Sequence, residues 1–403
     1  MNNPKGDTLL AHRTAPTPLE PPHGGQAASG LQALQIFAES KLPPHVQRIV
    51  RPPARGRAVA LAFLRWEKRD LAATERFWHD FGMRILESGA DRLLARGAGP
   101  APCIAMAVRG ERSRYVGAAF AMSDDTDLSA YMHEPGARRL PAGEIPGGGE
   151  GVELIDPTGR PVWLLQGQTQ LDPLPMREPM SPLMNTISAT PRVNRMVRTP
   201  IEPAHVMKLG HIVMQTVDLP IMLNWYMRVL GVLPTDVHYL ADGSPMVTFL
   251  RFNLGDVPAD HHSIVLAGGI EEKYEHSAYE VVDLDAIGQG QQVLRAKGHS
   301  HLWGIGRHLI GSQIFDYWKD PDGFQHEHYT DGDVFTADFE TQYSPMGASA
   351  IWSWGADAPA SMLPRKNLRT LLHVLGLLRR KKITPQRLKL IAAALETPAR
   401  PWL

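Results

Sequence analysis

Apolar positions are spaced in two distinct ways along the chain, and the two kinds of stretch recur in a fixed order. From Arg57 the stretch AVALAFLRW reads as a strand, and DLAATERFWHDFGM reads as a helix closed by a turn. Further strand-like stretches follow and end in GVELIDPTGRPVWLLQ. A second run starts with KLGHIVMQTV as a strand and DLPIMLNWYMRVLGV as a helix. Later, HSAYEVV predicts a strand, LDAIGQGQQVLRAKG a helix, and IFDYWKD with GFQHEHY two strands around a turn. Between the runs, residues 171–206 are rich in Pro and Met without a period and read as a linker.

The two runs resemble each other. Asp70-Leu71 and Asp218-Leu219 each precede an aromatic pair, Phe77-Trp78 and Trp225-Tyr226, and a glycine follows, Gly82 and Gly231. Each run finishes on Asp-Pro-x-Gly, at Asp156 and at Asp320. Such recurrence indicates a duplicated domain type. Within the second run the strand–helix start occurs twice, at Lys208 and at Glu275. Each half is then one βαβββ unit, and two such units curl their sheet into a half-open barrel. The fold class is α+β. Residues 1–56 are expected to be a flexible arm with one short helix near Leu31–Ser40. Residues 57–170 form the first domain, 207–335 the second, and 336–403 a helical tail. The tail carries Leu368, Leu371, Leu372, Leu375 and Leu378 at helical spacing, a stripe expected to dock on the body or on another subunit.

Composition narrows the function. Lys+Arg and Asp+Glu are equal at 42 each, so no basic excess points to nucleic acid. Hydrophobic residues make up 43% without a run of membrane-spanning length, so no membrane span is expected, nor is a secretory leader. The one cysteine, Cys103, excludes an internal disulfide and a cysteine-based zinc site; it fits a reducing cytoplasm and reads as a small buried hydrophobe. Histidine is abundant, at 17.

Three metal-capable residues are consecutive in the last strand: His326, Glu327 and His328. Strand side chains alternate faces, so the two histidines point one way and Glu327 the other. The run is no chelate by itself; either Glu327 or the histidine pair has distant partners. His211 and His276 occupy equivalent places on the first strands of the two units, where they and a last-strand carboxylate converge on the concave face. Two imidazoles and one carboxylate on one side of an ion leave the other side open, which suits ferrous iron in an oxygenase. The first run supplies a control: Phe63 stands where His211 does, Trp163 where Glu327 does, and the position of His276 falls near Gly117. His326 and His328 are expected to be exposed or packed outside the cup.

At this point a family resemblance appears. LGHIV with His211, DHHSIVLAGG with His261 and His262, EHSAYEVVDLDAIGQG with His276, and GRHLIGSQIFDYWKDPDGFQHE with His308, Tyr317 and Glu327 follow in order. Residues 207–333 resemble the catalytic domain of the type I extradiol ring-cleaving dioxygenases of the vicinal oxygen chelate superfamily. Residues 57–170 are similar, more loosely, to its metal-free N-terminal domain; the arm, linker and tail have no counterpart. The resemblance implies that His211, His276 and Glu327 bind Fe(II), with Mn(II) as the alternative ion. It implies that His262 is the acid–base residue, that His308 and Tyr317 hydrogen-bond the substrate's oxygens, and that the substrates are a catechol and O₂. A cytoplasmic homo-oligomer acting in aromatic catabolism is the corresponding expectation. An imidazole near neutral pKa suits a role that both accepts and donates a proton. His261, as strand neighbour of His262, is expected to face away and serve structure. Met246–Arg251 and Trp303–Ile310 are expected pocket walls, with Trp303 an aromatic contact. The competing readings are a glyoxalase-like isomerase or thiol transferase of the same superfamily and a metal-free small-molecule-binding protein.

Overall fold

The computed structural model describes residues 35–180, 183–347, 352–362 and 367–396. In the first domain the strands are β1 (Ala58–Lys68), β2 (Arg84–Ser88), β3 (Arg92–Arg96), β4 (Ala105–Arg109), β5 (Arg114–Met122), β6 (Arg138–Arg139), β7 (Glu150–Ile155) and β8 (Pro161–Gln166). Helix α1 (Leu71–Asp80) follows β1. The second domain has β9 (Val206–Thr216), α2 (Leu219–Leu230), β10 (Leu233–Tyr239), β11 (Pro245–Arg251), β12 (Ile264–Gly268), β13 (Lys273–Val281), α3 (Leu284–Ala296), β14 (Ser300–His308), β15 (Ile314–Lys319) and β16 (Gln325–Thr330).

The same local chemistry starts each helix. The carboxylates of Asp70, Asp218 and Asp283 accept from the backbone N–H of Ala73, Ile221 and Ala286, satisfying a first-turn donor that would otherwise be orphaned. Gly231 ends α2 in the left-handed region at φ 65°, a conformation that costs a side-chain-bearing residue more.

The duplication is exact in topology. The first sheet runs β2-β3-β4-β1-β5-β8-β7-β6 and the second contains β10-β11-β12-β9-β13-β16-β15-β14, the same order strand for strand. One element differs: the second unit of the first domain has a 3-10 turn, Leu128–His133, where the second domain has α3.

The segments outside the repeats are more structured than the sequence pattern indicates. Residues 1–34 lie outside the described part. Residues 35–56 are not a free arm: Phe37–Ala38 is a strand, Glu39–Lys41 a 3-10 turn, and Val46 and Ile49 are buried. The tail adds β17 (Gln342–Pro345) and β18 (Trp352–Gly355), one on each side of the eight repeat strands, so the second sheet extends past residue 335. Phe37–Ala38 pairs with β17. Edge strands seek backbone partners, which explains why apparently aperiodic segments are recruited there. Two helices follow, α4 (Leu368–Arg379) and α5 (Pro385–Glu396). Among the described residues most of the leucine stripe is uncovered, with Leu378 half-buried. Leu377 is the buried residue of α4, whereas Leu368, Leu371, Leu372 and Leu375 are exposed. Arg177 pins the linker through a bidentate ion pair to Asp283, the capping residue of α3. Among the described residues no helix is long and apolar enough to cross a membrane.

The domains share one apolar core. At its centre lie His326 and His328, both fully buried rather than exposed. They leave the concave face, as alternation requires, and enter the seam. His328 stacks on Phe81 of the first domain with ring centroids 3.7 Å apart and bonds the Phe81 carbonyl at 2.7 Å. His326 packs against Trp66, Phe77 and Phe81. Beside them Lys68 of β1 is buried against the Asp320 carboxylate and lies 3.0 Å from Asp322. Asp320 is also the turn residue that accepts from the backbone N–H groups of Asp322 and Phe324.

This seam is acid-sensitive. Burial pushes the Asp320 carboxyl up, but the His326 ring and the Lys68 ammonium outweigh it and hold the pKa down to about 2. A carboxyl depressed on folding stabilises the protein above its ordinary value near ~4, and that contribution is lost as pH falls towards the folded value. Asp320→Asn is therefore expected to cost about 3–5 kcal/mol at pH 7, because it strips Lys68 of its buried countercharge and leaves only the more exposed Asp322. Urea unfolding between about pH 4 and 2 is expected to show wild-type stability falling towards that of the variant. Equal slopes in the two proteins would exclude this ion pair as the source.

Candidate metal centre

One lateral row of the second sheet carries the candidate site. His211 on β9 pairs with Ala278 on β13, Ala278 with Glu327 on β16, Glu327 with Tyr317 on β15, and Tyr317 with Trp303 on β14. Directly paired residues share a face, so this row points into the cup. His276, two residues from Ala278 on β13, shares it. The small side chain of Ala278 leaves space between the imidazole of His211 and the carboxylate of Glu327.

The ligand-capable atoms of His211, His276 and Glu327 all lie within 4.8 Å of one another. That span suits one ion held by bonds of about 2.0–2.2 Å. His211 Nε2 and His276 Nε2 each approach Glu327 Oε2 at 3.3 Å. Neither approach is a hydrogen bond, and both carboxylate oxygens are buried without one. A fully buried carboxylate without donors is costly unless a positive charge sits against it, and this observation makes the residues fit a divalent cation. The protonation states fit too. Burial lowers the pKa of His211, leaving its lone pair available. Burial works to raise that of Glu327, but the rings of His211, His276 and His308 hold it well below the usual carboxylate range.

The other candidates surround the same point. His262 is buried with its ring 4.2 Å from that of His211, and burial first, then His211 and His261, push its pKa well below the ordinary value. His308 Nε2 lies 3.0 Å from Tyr317 Oη and 3.5 Å from Glu327 Oε1. Burial and the nearby Glu327 charge raise the Tyr317 phenol pKa well above its usual range, so its proton stays on at neutral pH. All six sequence-derived positions thus occupy one site.

The first domain repeats the row with other residues: Phe63, Ala119, Trp163 and Glu153 stand where His211, Ala278, Glu327 and Tyr317 stand. Its cup is filled: Phe63 meets Trp163 edge-on at 6.0 Å, Trp163 Nε1 bonds Glu153 at 2.6 Å, Arg65 covers the Trp163 ring, and Cys103 is buried beside them. Gly117 occupies the position of His276 by the same register.

Residues 208–327 match the family described as the Glyoxalase/Bleomycin resistance protein/Dioxygenase superfamily. The chain is 28% identical over 323 residues to metapyrocatechase 2 of Cupriavidus necator, covering 78% of this chain and 94% of the relative. The chain is thus similar to a ring-cleaving relative over most of its length, and its second domain matches that superfamily. In fold it resembles homoprotocatechuate 2,3-dioxygenase from Brevibacterium fuscum in its anaerobic complex with 3,4-dihydroxyphenylacetate, at TM-score 0.63 and 20% identity over 78% of this chain and 94% of that one. It also resembles the Mn(II)-bound glyoxalase of Novosphingobium aromaticivorans, at TM-score 0.62 and 21% identity over 77% and 96%. The fold is thus one that these solved structures share.

Several residues of this site are not legible in the sequence. Trp303 was expected at the wall, but its partners come from the tail: β18 pairs with β14, Trp352 lies edge-on to Trp303 at 5.3 Å, and Trp303 Nε1 bonds the carbonyl of Ala356. His261 does not face away from His262; its Nδ1 lies 2.8 Å from His262 Nδ1, and its Nε2 lies 2.7 Å from Asp236. Regular alternation fails because the strand Ala259–Asp260 stops one residue earlier. A lone carboxylate within the strand LPTDVHY was the available signal for Asp236.

The Ala278 position gives a direct test of the row. Ala278→Leu is expected to place a branched side chain between His211 and Glu327 and to abolish tight divalent-metal binding by calorimetry. The overpacking should cost about 1–3 kcal/mol while the folded circular-dichroism spectrum is retained. Unchanged metal affinity in a folded variant would move the ion away from this row.

Proposed function

We propose that the protein cleaves the aromatic ring of a catechol-type substrate beside its two hydroxyls, with Fe(II) and O₂ as the other participants. The single observation that carries this reading is the buried, donor-free carboxylate of Glu327 facing two imidazoles and flanked by three further proton-bearing groups. His211, His276 and Glu327 would hold the ion on one side. A divalent ion there would supply Lewis acidity to the substrate's hydroxyl oxygens and a means of engaging O₂. His262, neutral at physiological pH, accepts the proton that a catechol hydroxyl loses on binding and returns it to oxygen as charge develops there. Tyr317 keeps its hydrogen and donates to a substrate oxygen, with His308 holding the phenol in place at 3.0 Å. Trp303, Phe315 and Trp352 form an apolar flank suited to an aromatic ring. The resemblance to metapyrocatechase 2 supports the same chemistry. A cytoplasmic location, a homo-oligomeric assembly and a place in aromatic catabolism belong to the same proposal.

The second reading is a Mn(II)-dependent glyoxalase-like isomerase, favoured by the fold likeness to the Mn(II)-bound glyoxalase. Isomerisation does not call for the full set of His262, His308 and Tyr317.

The deciding experiment loads the protein anaerobically with Fe(II) or Mn(II), then adds O₂ and a panel of catechols. A yellow ring-fission product is expected with Fe(II), and His262→Ala is expected to lower kcat about 10²–10⁴-fold at unchanged metal content. Full metal occupancy without product from any catechol, together with thiohemiacetal isomerisation by the Mn(II) form, would establish the second reading instead.

A further inference from the structure

His262 is part of a buried chain that ends on a carboxylate. Its Nδ1 lies 2.8 Å from His261 Nδ1, and His261 Nε2 lies 2.7 Å from Asp236 Oδ2. Asp236, His261 and His262 are 7%, 2% and 4% exposed, so water does not interrupt the chain. The two imidazole planes stand at 90°, and Phe249 packs edge-on against both rings, at 5.6 Å from His261 and 5.2 Å from His262.

The direction of hydrogen bonding in this chain is determined from its far end. An ionised carboxylate only accepts, so His261 Nε2 carries the hydrogen. A neutral imidazole has one hydrogen, so His261 Nδ1 presents a lone pair. The Nδ1–Nδ1 contact then needs its hydrogen on His262. That leaves His262 Nε2 as a lone pair.

We propose that Asp236 and His261 are positioning residues that hold His262 as the Nδ1–H tautomer, so that Nε2 is the atom that accepts and returns the substrate's proton. In that transfer the substrate O–H bond breaks and an N–H bond forms at Nε2. The resulting imidazolium keeps its Nδ1–H bond to His261, and the later return of the proton to oxygen restores the starting tautomer. The assignment rests on the reading of His262 as the acid–base group. The arrangement parallels the general case in which a carboxylate fixes the tautomer of a catalytic imidazole, here acting through a second imidazole.

The test is ¹⁵N-histidine NMR of the metal-free protein, with His262 assigned by its absence in His262→Gln, alongside catechol-cleavage kinetics of the Fe(II)-loaded forms. Wild type is expected to show a protonated Nδ1 and a bare Nε2 at His262. Asp236→Asn, whose amide can also donate, is expected to populate the opposite tautomer and to lower kcat about 10–10³-fold, with KM within about threefold and iron content unchanged. His261→Asn, whose amide oxygen stands near the Nδ1 position and still accepts, is expected to retain the Nδ1–H form and most of kcat. A protonated Nε2 at His262 in wild type overturns the proposal. So does an Asp236→Asn protein with wild-type spectrum and kcat. The expected tautomer in a metal-loaded wild type that cleaves no catechol would support the hydrogen-bond assignment and defeat the functional reading alone.

Discussion

The Glu327 carboxylate is the constraint around which the second domain is organised. It is fully buried and ionised, and its oxygens receive no hydrogen bond from the described residues. Such a group is tolerable only where positive charge can be brought to it. Three strands supply the surroundings: β9 and β13 bring the imidazoles, and the parallel pairing of β13 with β16 puts Ala278, the smallest side chain of the row, in the gap. The same backbone pairing sends His326 and His328 to the opposite face, where they anchor the first domain.

That division of labour between faces explains the duplication. Both sheets have the same strand order, yet among the described residues one cup alone gathers a metal-capable group. In the first, Phe63, Trp163 and Glu153 fill the corresponding row, and Arg65 satisfies the carboxylate and covers the indole. Filling one cup with its own side chains gives a rigid body against which the other can be braced. Phe81, Trp66 and Lys68 of that body meet the back of the strand carrying Glu327 and the turn before it, so the first domain braces that strand from behind. Conformational freedom of a buried ligand strand is a cost at the moment of metal binding, and prior packing removes it.

The protein also draws on segments outside its repeats. The N-terminal stretch and the tail widen the second sheet at its two edges, and the tail strand supplies Trp352 to the flank of the site. These additions lie where a pocket can be reshaped without disturbing the ligand row. Edge strands exchange partners more readily than central ones, and walls made there can differ while the central strands stay fixed.

Periodicity of two and of 3.6, with Asp at each helix start and Asp-Pro-x-Gly before each last strand, determined the α+β class, the duplication and the separation of Glu327 from its histidine neighbours. Those are local properties: alternation and capping act over a few residues, so sequence carries them directly. The convergence of His211, His276 and Glu327 was legible because first and last strands of such units meet in the middle. The partnership of Asp236 and His261 with His262 was not legible. It depends on a strand that stops at Asp260 and on the packing of β10 against the loop that follows. Nor were the first-domain partners of His326 and His328, the Lys68–Asp320 pair or the tail's entry into the sheet. Each joins residues remote in sequence whose meeting is set by register and domain docking, and these are decided by the burial of the whole shared core.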